Sequence, residues 1–203
     1  DDTDDISWLS YCKIRNSTEE QLATAFEAIE NISVDLAVQS SIRREAATLF
    51  CDAFCSGITV GRGTDCIAAV CLSITAQQAA QPIPRGRLLD SMSVAQKGFN
   101  LAYRALCCGL EIKVEPAQPV QYLPFFASDL RLPADQVTDA TDLLEAVAGR
   151  TEFVGKSCVG VTSAAVYLAS EKSTQREVAD SGGISAETVR QRVDDFRRLC
   201  ALD

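Results

Sequence analysis

The sequence predicts an all-α protein made of two tandem five-helix domains, the second of which ends in a helix-turn-helix. Apolar residues recur at helical spacing along the whole chain, strand-like alternation is scarce, and the two halves resemble each other. The predicted helices span residues 18–31, 36–56, 63–78, 86–92 and 95–109 in the first half, and 119–130, 134–149, 157–171, 174–181 and 186–200 in the second. Pro116 and Pro119 mark the join, so we predict domains at residues 16–112 and 116–202.

Composition indicates a folded protein outside the membrane. The chain has 203 residues, of which 47% are hydrophobic, and this suffices for two domains with sizeable cores. No apolar run approaches the ~18 residues of a membrane helix and no signal peptide is found, so we expect a cytoplasmic protein with no membrane partner. The chain lacks an initiator Met and opens on the acidic run 1–5, so we expect it to be a fragment whose N-terminal part was removed.

Nine cysteines suggest a metal site or disulfides, but neither fits the sequence well, and the chain contains no histidine. C-x-x-C pairs are absent, so the usual zinc spacings are missing. Cys51 and Cys55 lie on one predicted helical face, and Cys66 and Cys71 lie in an apolar run, as is typical of small core residues. Without histidine, Ser-His-Asp and Cys-His arrangements are impossible within the chain. We predict reduced thiols, no metal, no cofactor and no enzymatic activity.

Residues 174–192 predict a helix, a glycine turn and a second helix. Gly183 can take the positive φ of a tight turn, and Ser185 can cap the second helix. Val189, Val193 and Phe196 recur at helical spacing and are expected to pack inward. The positions left outside are Ala186, Glu187, Arg190 and Gln191. A helix-turn-helix presents its second helix to the DNA major groove in this way, and an ordinary helical hairpin is the alternative.

Both halves place a glycine and a basic residue before a helix of small residues. Residues 61–72 align with residues 155–166, and Arg62 and Lys156 occupy equivalent positions. Such a composition suits a central helix wrapped by others. A helix N-terminus beside a basic side chain is also a ready phosphate site, although a plain helix start with a solvated basic residue is equally consistent with the pattern.

The formal net charge of −9 is unfavourable for a nucleic-acid binder, because such affinity comes largely from phosphate neutralisation. Two explanations are open: the chain does not bind DNA, or it comes from a high-salt cytoplasm in which acidic surfaces are normal. Residues 172–198 carry six basic and five acidic side chains, so this segment is near neutral in an acidic protein. The uneven distribution favours the halophilic interpretation.

The order and spacing of several segments resemble the C-terminal core of archaeal transcription factor B, the counterpart of TFIIB. The resemblance covers residues 16–202, and the matching segments are 25–29, 46–50, 57–62, 83–85, 119–122, 165–169, 174–179 and 188–190. It implies two cyclin-like repeats, with a helix-turn-helix closing the second. Together with the composition, it suggests a divergent haloarchaeal paralogue.

The resemblance implies a general transcription initiation factor core that binds the TATA-binding protein–promoter DNA complex and is nucleoid-associated. The second repeat is expected to read an upstream promoter element in the major groove, while the first grips DNA on the other side. RNA polymerase is expected to be recruited mainly through N-terminal zinc-binding parts that this chain lacks. The residues implied in DNA binding are Gln175, Glu187, Thr188, Arg190, Gln191, Arg192, Arg62 and Lys156.

Glu187 departs from the family pattern, which normally has an apolar residue at this position. A carboxylate there repels phosphate, although it can accept a hydrogen bond from cytosine N4. Ser73, Thr75 and Gly86 are further departures. The alternative hypothesis is therefore a cyclin-fold protein-interaction module that has lost sequence-specific DNA readout.

Overall fold

The structure is a computed structural model that describes residues 17–200. Within this range the regular structure consists of ten α-helices and two short 3-10 helices, and no strand is present. The prediction of an all-α protein is therefore confirmed. None of the helices in the described range is long and apolar enough to cross a membrane.

The ten helices follow the predicted order. The first five are α1 (Ser17–Asp35), α2 (Ser40–Cys55), α3 (Thr64–Gln78), α4 (Arg85–Met92) and α5 (Gln96–Gly109). The next five are α6 (Leu123–Asp129), α7 (Ala134–Val147), α8 (Cys158–Ala169), α9 (Gln175–Gly182) and α10 (Ala186–Cys200). The predicted helix at 119–130 is split into a 3-10 helix, Pro119–Tyr122, and α6. Pro124 has no N–H to donate to Val120 and its ring would clash with that carbonyl, which disfavours a continuous α-helix there.

Contacts divide the chain into two compact units. Among the described residues, unit 1 comprises 17–75 and 91–114, and unit 2 comprises 76–90 and 115–200. The segment 76–90, which contains most of α4, is thus grouped with the second unit. The domain limits at 16–112 and 116–202 stay a prediction.

Unit 2 is organised around α8, which packs against α6, α7, α9 and α10. Every residue from Gly160 to Val166 is buried, because the small side chains of this helix let its neighbours approach from all sides. The hydroxyl of Thr162 donates hydrogen bonds to the carbonyl oxygens of Pro119 (2.6 Å) and Cys158 (2.9 Å), so it is satisfied inside the core. Phe126 and Phe196 are fully buried in the surrounding core.

Unit 1 has an equivalent apolar helix. The six residues from Ile67 to Leu72 in α3 are fully buried. Thr75 is also buried, and its hydroxyl donates to the carbonyl oxygen of Cys71 at 2.9 Å, which removes the penalty for placing this hydroxyl in the core. Both α3 and α8 are therefore the buried central helices that the small-residue pattern predicts.

In the loops that precede these two helices, the aligned glycines both have a positive φ. Gly61 and Gly155, aligned in the internal repeat, have φ values of +73° and +77°. Each is preceded by another glycine of positive φ, Gly57 at +71° and Gly149 at +72°. Residues other than glycine are strained at such angles. The aligned pair, Gly61 and Gly155, therefore agrees in backbone conformation as well as in sequence.

The seven cysteines between Cys51 and Cys158 are free thiols. Cys71 is buried, and burial raises the pKa of its thiol above the ordinary value, whereas Cys55 and Cys108 are exposed. The side chains of Cys12 and Cys200 lie outside the described part of the chain. Within that part, no group of three or more His, Cys, Asp or Glu residues could hold a metal ion.

Candidate nucleic-acid interface

The helix α9 begins with a capping box. The Thr174 hydroxyl accepts a hydrogen bond from the Glu177 N–H at 3.2 Å, and the Glu177 carboxylate accepts from the Thr174 N–H at 2.7 Å and from its hydroxyl at 2.9 Å. These bonds, led by that from the Thr174 backbone, lower the pKa of Glu177 below its ordinary value. Two otherwise unpaired N–H groups at the helix start are thereby satisfied, which fixes where α9 begins.

Gly183 ends α9 in the left-handed conformation, with φ 58° and ψ 39°. The N–H of Ile184 donates to the carbonyl of Ala179 at 3.0 Å, and that of Gly183 donates to Asp180 at 3.1 Å, as in a helix-terminating glycine turn. A Cβ on Gly182 would lie 3.1 Å from both the Phe126 ring and the Ser163 hydroxyl. The end of α9 therefore packs closely on α6 and α8, and the predicted glycine turn is confirmed.

Ser185 caps α10, as predicted. Its hydroxyl accepts from the Thr188 N–H at 3.2 Å and lies 2.9 Å from the Thr188 hydroxyl. The Thr188 methyl faces α8, where a Cβ on Gly160 would be 3.3 Å from it. Thr188, a predicted DNA contact, is thus half-buried and already occupied by the cap.

The α10 helix has the predicted inner face. Val189, Val193 and Phe196 are at most 1% exposed and belong to the core of unit 2. The opposite face exposes Ala186, Glu187, Arg190 and Gln191. Since each buried valine or phenylalanine contributes about 1.5–3 kcal/mol, the core fixes the rotation of α10 and hence which side chains face outward.

The exposed face carries a connected cluster, Glu187–Arg190–Gln191. The Glu187 carboxylate accepts from Arg190 Nε at 2.9 Å and Nη2 at 2.8 Å, and from Gln191 Nε2 at 3.0 Å. The hydrogen bond from Arg190, followed by that from Gln191, lowers the pKa of Glu187, and the same carboxylate raises the pKa of Arg190. Both groups therefore stay charged, and together they have no net charge.

A second cluster is centred on Asp195, whose side chain is only 15% exposed. Its Oδ2 accepts from Lys156 Nζ at 2.6 Å and lies 2.7 Å from Arg192 Nη1, while Oδ1 is 3.7 Å from Arg198 Nη2. The Arg192 nitrogen is not aligned as a hydrogen-bond donor, so this contact is an ion pair only. Three cations around one carboxylate leave this Asp195 cluster with a surplus of positive charge.

Lys156, which is also a predicted phosphate contact, therefore has a structural role between the loop before α8 and α10. Its ammonium lies 5.4 Å from the centre of the Phe153 ring, and that ring packs edge-on against Phe196 at 5.0 Å. The loop before α8 is thereby tied to α10. Sequence analysis missed Asp195, although the Arg192, Asp195, Arg198 spacing is the i, i+3 signal of helical ion pairs.

The two remaining predicted contacts lie elsewhere. Arg62 is exposed in unit 1, where its Nη1 donates to the carbonyl oxygens of Ile58 (2.5 Å) and Val60 (3.4 Å) and so closes the loop before α3. Gln175 is the half-buried first residue of α9. Within unit 2 the structure thus joins Glu187, Arg190 and Gln191 in one cluster and Lys156 with Arg192 in the other, and DNA contact by all eight residues stays a prediction.

The known proteins to which this chain is similar are transcription initiation factors. Residues 112–198 match the family described as Transcription factor TFIIB repeat. Transcription initiation factor IIB of Methanococcus maripaludis is 30% identical over 200 residues, which cover 97% of this chain and 59% of the relative. The same factor of Methanosphaerula palustris is 30% identical over 193 residues, or 93% of this chain and 58% of the relative.

The factor of Methanococcus aeolicus is 28% identical over 200 residues, with 97% of this chain and 60% of the relative covered. The chain thus spans 58–60% of the length of these relatives. They are named as transcription factors and not as enzymes, in agreement with the prediction of a non-catalytic protein. The repeat match over residues 112–198, the similarity along nearly the whole chain and the all-helical fold together support a TFIIB-like, cyclin-fold core.

Proposed function

We propose that the chain is the core of a general transcription initiation factor that binds the TATA-binding protein–promoter DNA complex. In this proposal it reads an upstream promoter element and helps to recruit RNA polymerase on the chromosome. The outward face of α10 carries the proposal, because Glu187, Arg190 and Gln191 stand exposed on a helix whose other side is fixed in the core.

The dimensions of α10 suit a major groove. An α-helix with its side chains is about 10–12 Å in diameter and the major groove of B-DNA is about 12 Å wide, so the 15-residue α10 can lie within it. In this proposal, the N-terminal part of the helix, which follows the capped turn from Gly183 to Ser185 and carries three exposed polar side chains, is the end that enters the groove.

Local charge supports the same proposal. The α10 helix has four arginines against three carboxylates, although the chain as a whole carries −9. The Asp195 cluster adds Lys156 to this positive region. In the proposal, Lys156 and Arg62 contact phosphates and position the protein, whereas Arg190 and Gln191 contact base edges and specify sequence.

A protein-interaction module without DNA readout is the second candidate. The acidic net charge favours it, and so does Glu187, which cancels the charge of Arg190 on the exposed face. The two candidates differ in one measurable respect, because only a promoter factor forms a ternary complex whose stability depends on the DNA upstream of the TATA box.

The test is a gel shift with TATA-binding protein and promoter DNA, at KCl concentrations from dilute to molar. We expect a slower-migrating ternary complex whose affinity falls when the upstream element is scrambled, with a log–log salt slope of about −0.9 for each phosphate neutralised. Retention of the complex in molar KCl would favour the halophilic interpretation. Failure to form a ternary complex at every salt concentration would instead support the interaction module.

A further inference from the structure

The pair formed by Glu187 and Arg190 is informative because of its geometry. The two side chains are 54% and 61% exposed, and exposed pairs three residues apart on a helix contribute little to stability. Here, however, both carboxylate oxygens are engaged, Oε2 by Arg190 Nε and Oε1 by both Arg190 Nη2 and Gln191 Nε2. One carboxylate therefore holds two side chains of the outward face at once.

A guanidinium group is planar and has two edges that can each donate a pair of parallel hydrogen bonds. Glu187 occupies the Nε–Nη2 edge of Arg190. The Nη1–Nη2 edge is left for a ligand, and no described residue accepts a hydrogen bond from Nη1. Because the group is rigid, fixing one edge also fixes the direction in which the other points.

The orientation of Gln191 follows from the same contact. A carboxylate oxygen can only accept, so the side-chain atom of Gln191 that faces it must be the NH2 group. The amide carbonyl oxygen of Gln191 is then directed away as an acceptor. The outward face thus presents a fixed pair of donors on Arg190 beside an acceptor on Gln191.

We propose that Glu187 is a positioning residue that pre-aligns Arg190 to bind guanine and Gln191 to bind an adjacent base with an amino group. The inference rests on the proposed function. The free edge of Arg190 matches O6 and N7 of guanine, and the Gln191 carbonyl matches N4 of cytosine or N6 of adenine. With an apolar residue at position 187, Arg190 can turn toward a phosphate, which binds every sequence alike.

The proposal predicts opposite effects of a Glu187 substitution on sequence preference and on general DNA affinity. A well-placed bidentate arginine discriminates against a wrong base by about 5- to 150-fold. In Glu187→Gln, Arg190 loses its charged anchor, so we expect discrimination at the guanine position to fall several-fold. Affinity for sequences that lack the guanine should rise, and the log–log salt slope should become steeper by about 1, because the released guanidinium can neutralise a phosphate.

The test is a binding selection with the full chain, TATA-binding protein and a DNA library randomised in the upstream element. Wild type is compared with Glu187→Gln and with Asp194→Asn, which removes the same charge from α10 without breaking a hydrogen bond to Arg190. In parallel, the solvent-exchange rate of the Arg190 Nε–H in the free protein is measured by NMR. This rate should increase in Glu187→Gln and remain unchanged in Asp194→Asn.

The expected result is a guanine next to an adenine or cytosine in the wild-type selection, weakened in Glu187→Gln and kept in Asp194→Asn. An unchanged guanine preference in Glu187→Gln, or an equal loss in Asp194→Asn, would overturn the positioning role while leaving the proposed function intact. A change confined to another base pair would make Glu187 a direct base contact instead. A wild-type selection without any preferred sequence would overturn the readout function itself, and this inference with it.

Discussion

Asp195→Asn keeps the shape of the side chain but removes the carboxylate on which Lys156, Arg192 and Arg198 converge. The Asp195 and Lys156 side chains are 15% and 27% exposed, and their charged atoms are 2.6 Å apart. A fully buried pair that loses one partner costs about 3–5 kcal/mol, and an exposed pair about 0–1 kcal/mol. Since this pair lies between these limits, we expect a loss of about 1–3 kcal/mol in the free energy of unfolding.

The assay is a double-mutant cycle with Asp195→Asn and Lys156→Met, followed by urea denaturation. We expect a coupling energy of about 1–2 kcal/mol. About 1 M KCl shortens the Debye length to about 3 Å, but both partners are mostly buried, so the coupling should largely persist in that salt. Asp194→Asn serves as the matched control, and it should stay within about 0.5 kcal/mol of wild type.

Asp195→Asn should strengthen DNA binding, although it lowers the free energy of unfolding. Losing one negative charge beside three cations raises the positive potential of this part of unit 2, so affinity for all DNA sequences should increase while sequence preference stays constant. A coupling energy below about 0.3 kcal/mol would refute the reasoning that this ion pair fastens the loop before α8 to α10.

Three further outcomes are expected. Ala80 has φ 56°, so Ala80→Gly should raise the free energy of unfolding by about 0.5–1 kcal/mol in urea denaturation, and an equal gain in the neighbouring control Ala79→Gly would contradict this explanation. The folded-state pKa of Glu177 lies below its ordinary 4.5, so its stabilisation is complete above that pH and is lost as pH falls through the folded-state pKa. Glu177→Gln should therefore be less stable than wild type at neutral pH, with a difference that shrinks in acid, and a difference independent of pH would count against the capping box. Exposed Cys55 should react with a thiol reagent well before buried Cys71 in the native protein, and equal rates would contradict the described core.

Helix order and the inner face of α10 could be predicted because both follow from local periodicity. Val189, Val193 and Phe196 are buried as their spacing indicates, and Gly183 takes the positive φ expected of a helix-ending glycine. The capping role of Ser185 likewise depends only on residues within one helical turn.

Contacts between residues distant in sequence could not be predicted in this way. Lys156 and Asp195 are 39 residues apart, so no local pattern pairs them. Glycine signals also failed to mark several helix ends, because Ala37, Ala80 and Glu111 adopt positive φ without being glycine. The Glu187–Arg190 pair is different, because its i, i+3 spacing is a local signal of a helical ion pair that the site prediction, which named the two residues separately, did not use.

The central claim is that α10 reads promoter DNA through Arg190, and it is tested most directly by quantitative binding of Arg190→Ala to the preferred and scrambled upstream elements with TATA-binding protein. The Glu187→Ala, Arg190→Ala double variant keeps the wild-type net charge, and Arg44→Ala removes an exposed arginine from α2 as a control. The account predicts that both α10 variants lose the preference for the selected element, by about 5- to 150-fold, while Arg44→Ala keeps it. An unchanged preference in both α10 variants would contradict the account and leave the protein-interaction module as the better explanation.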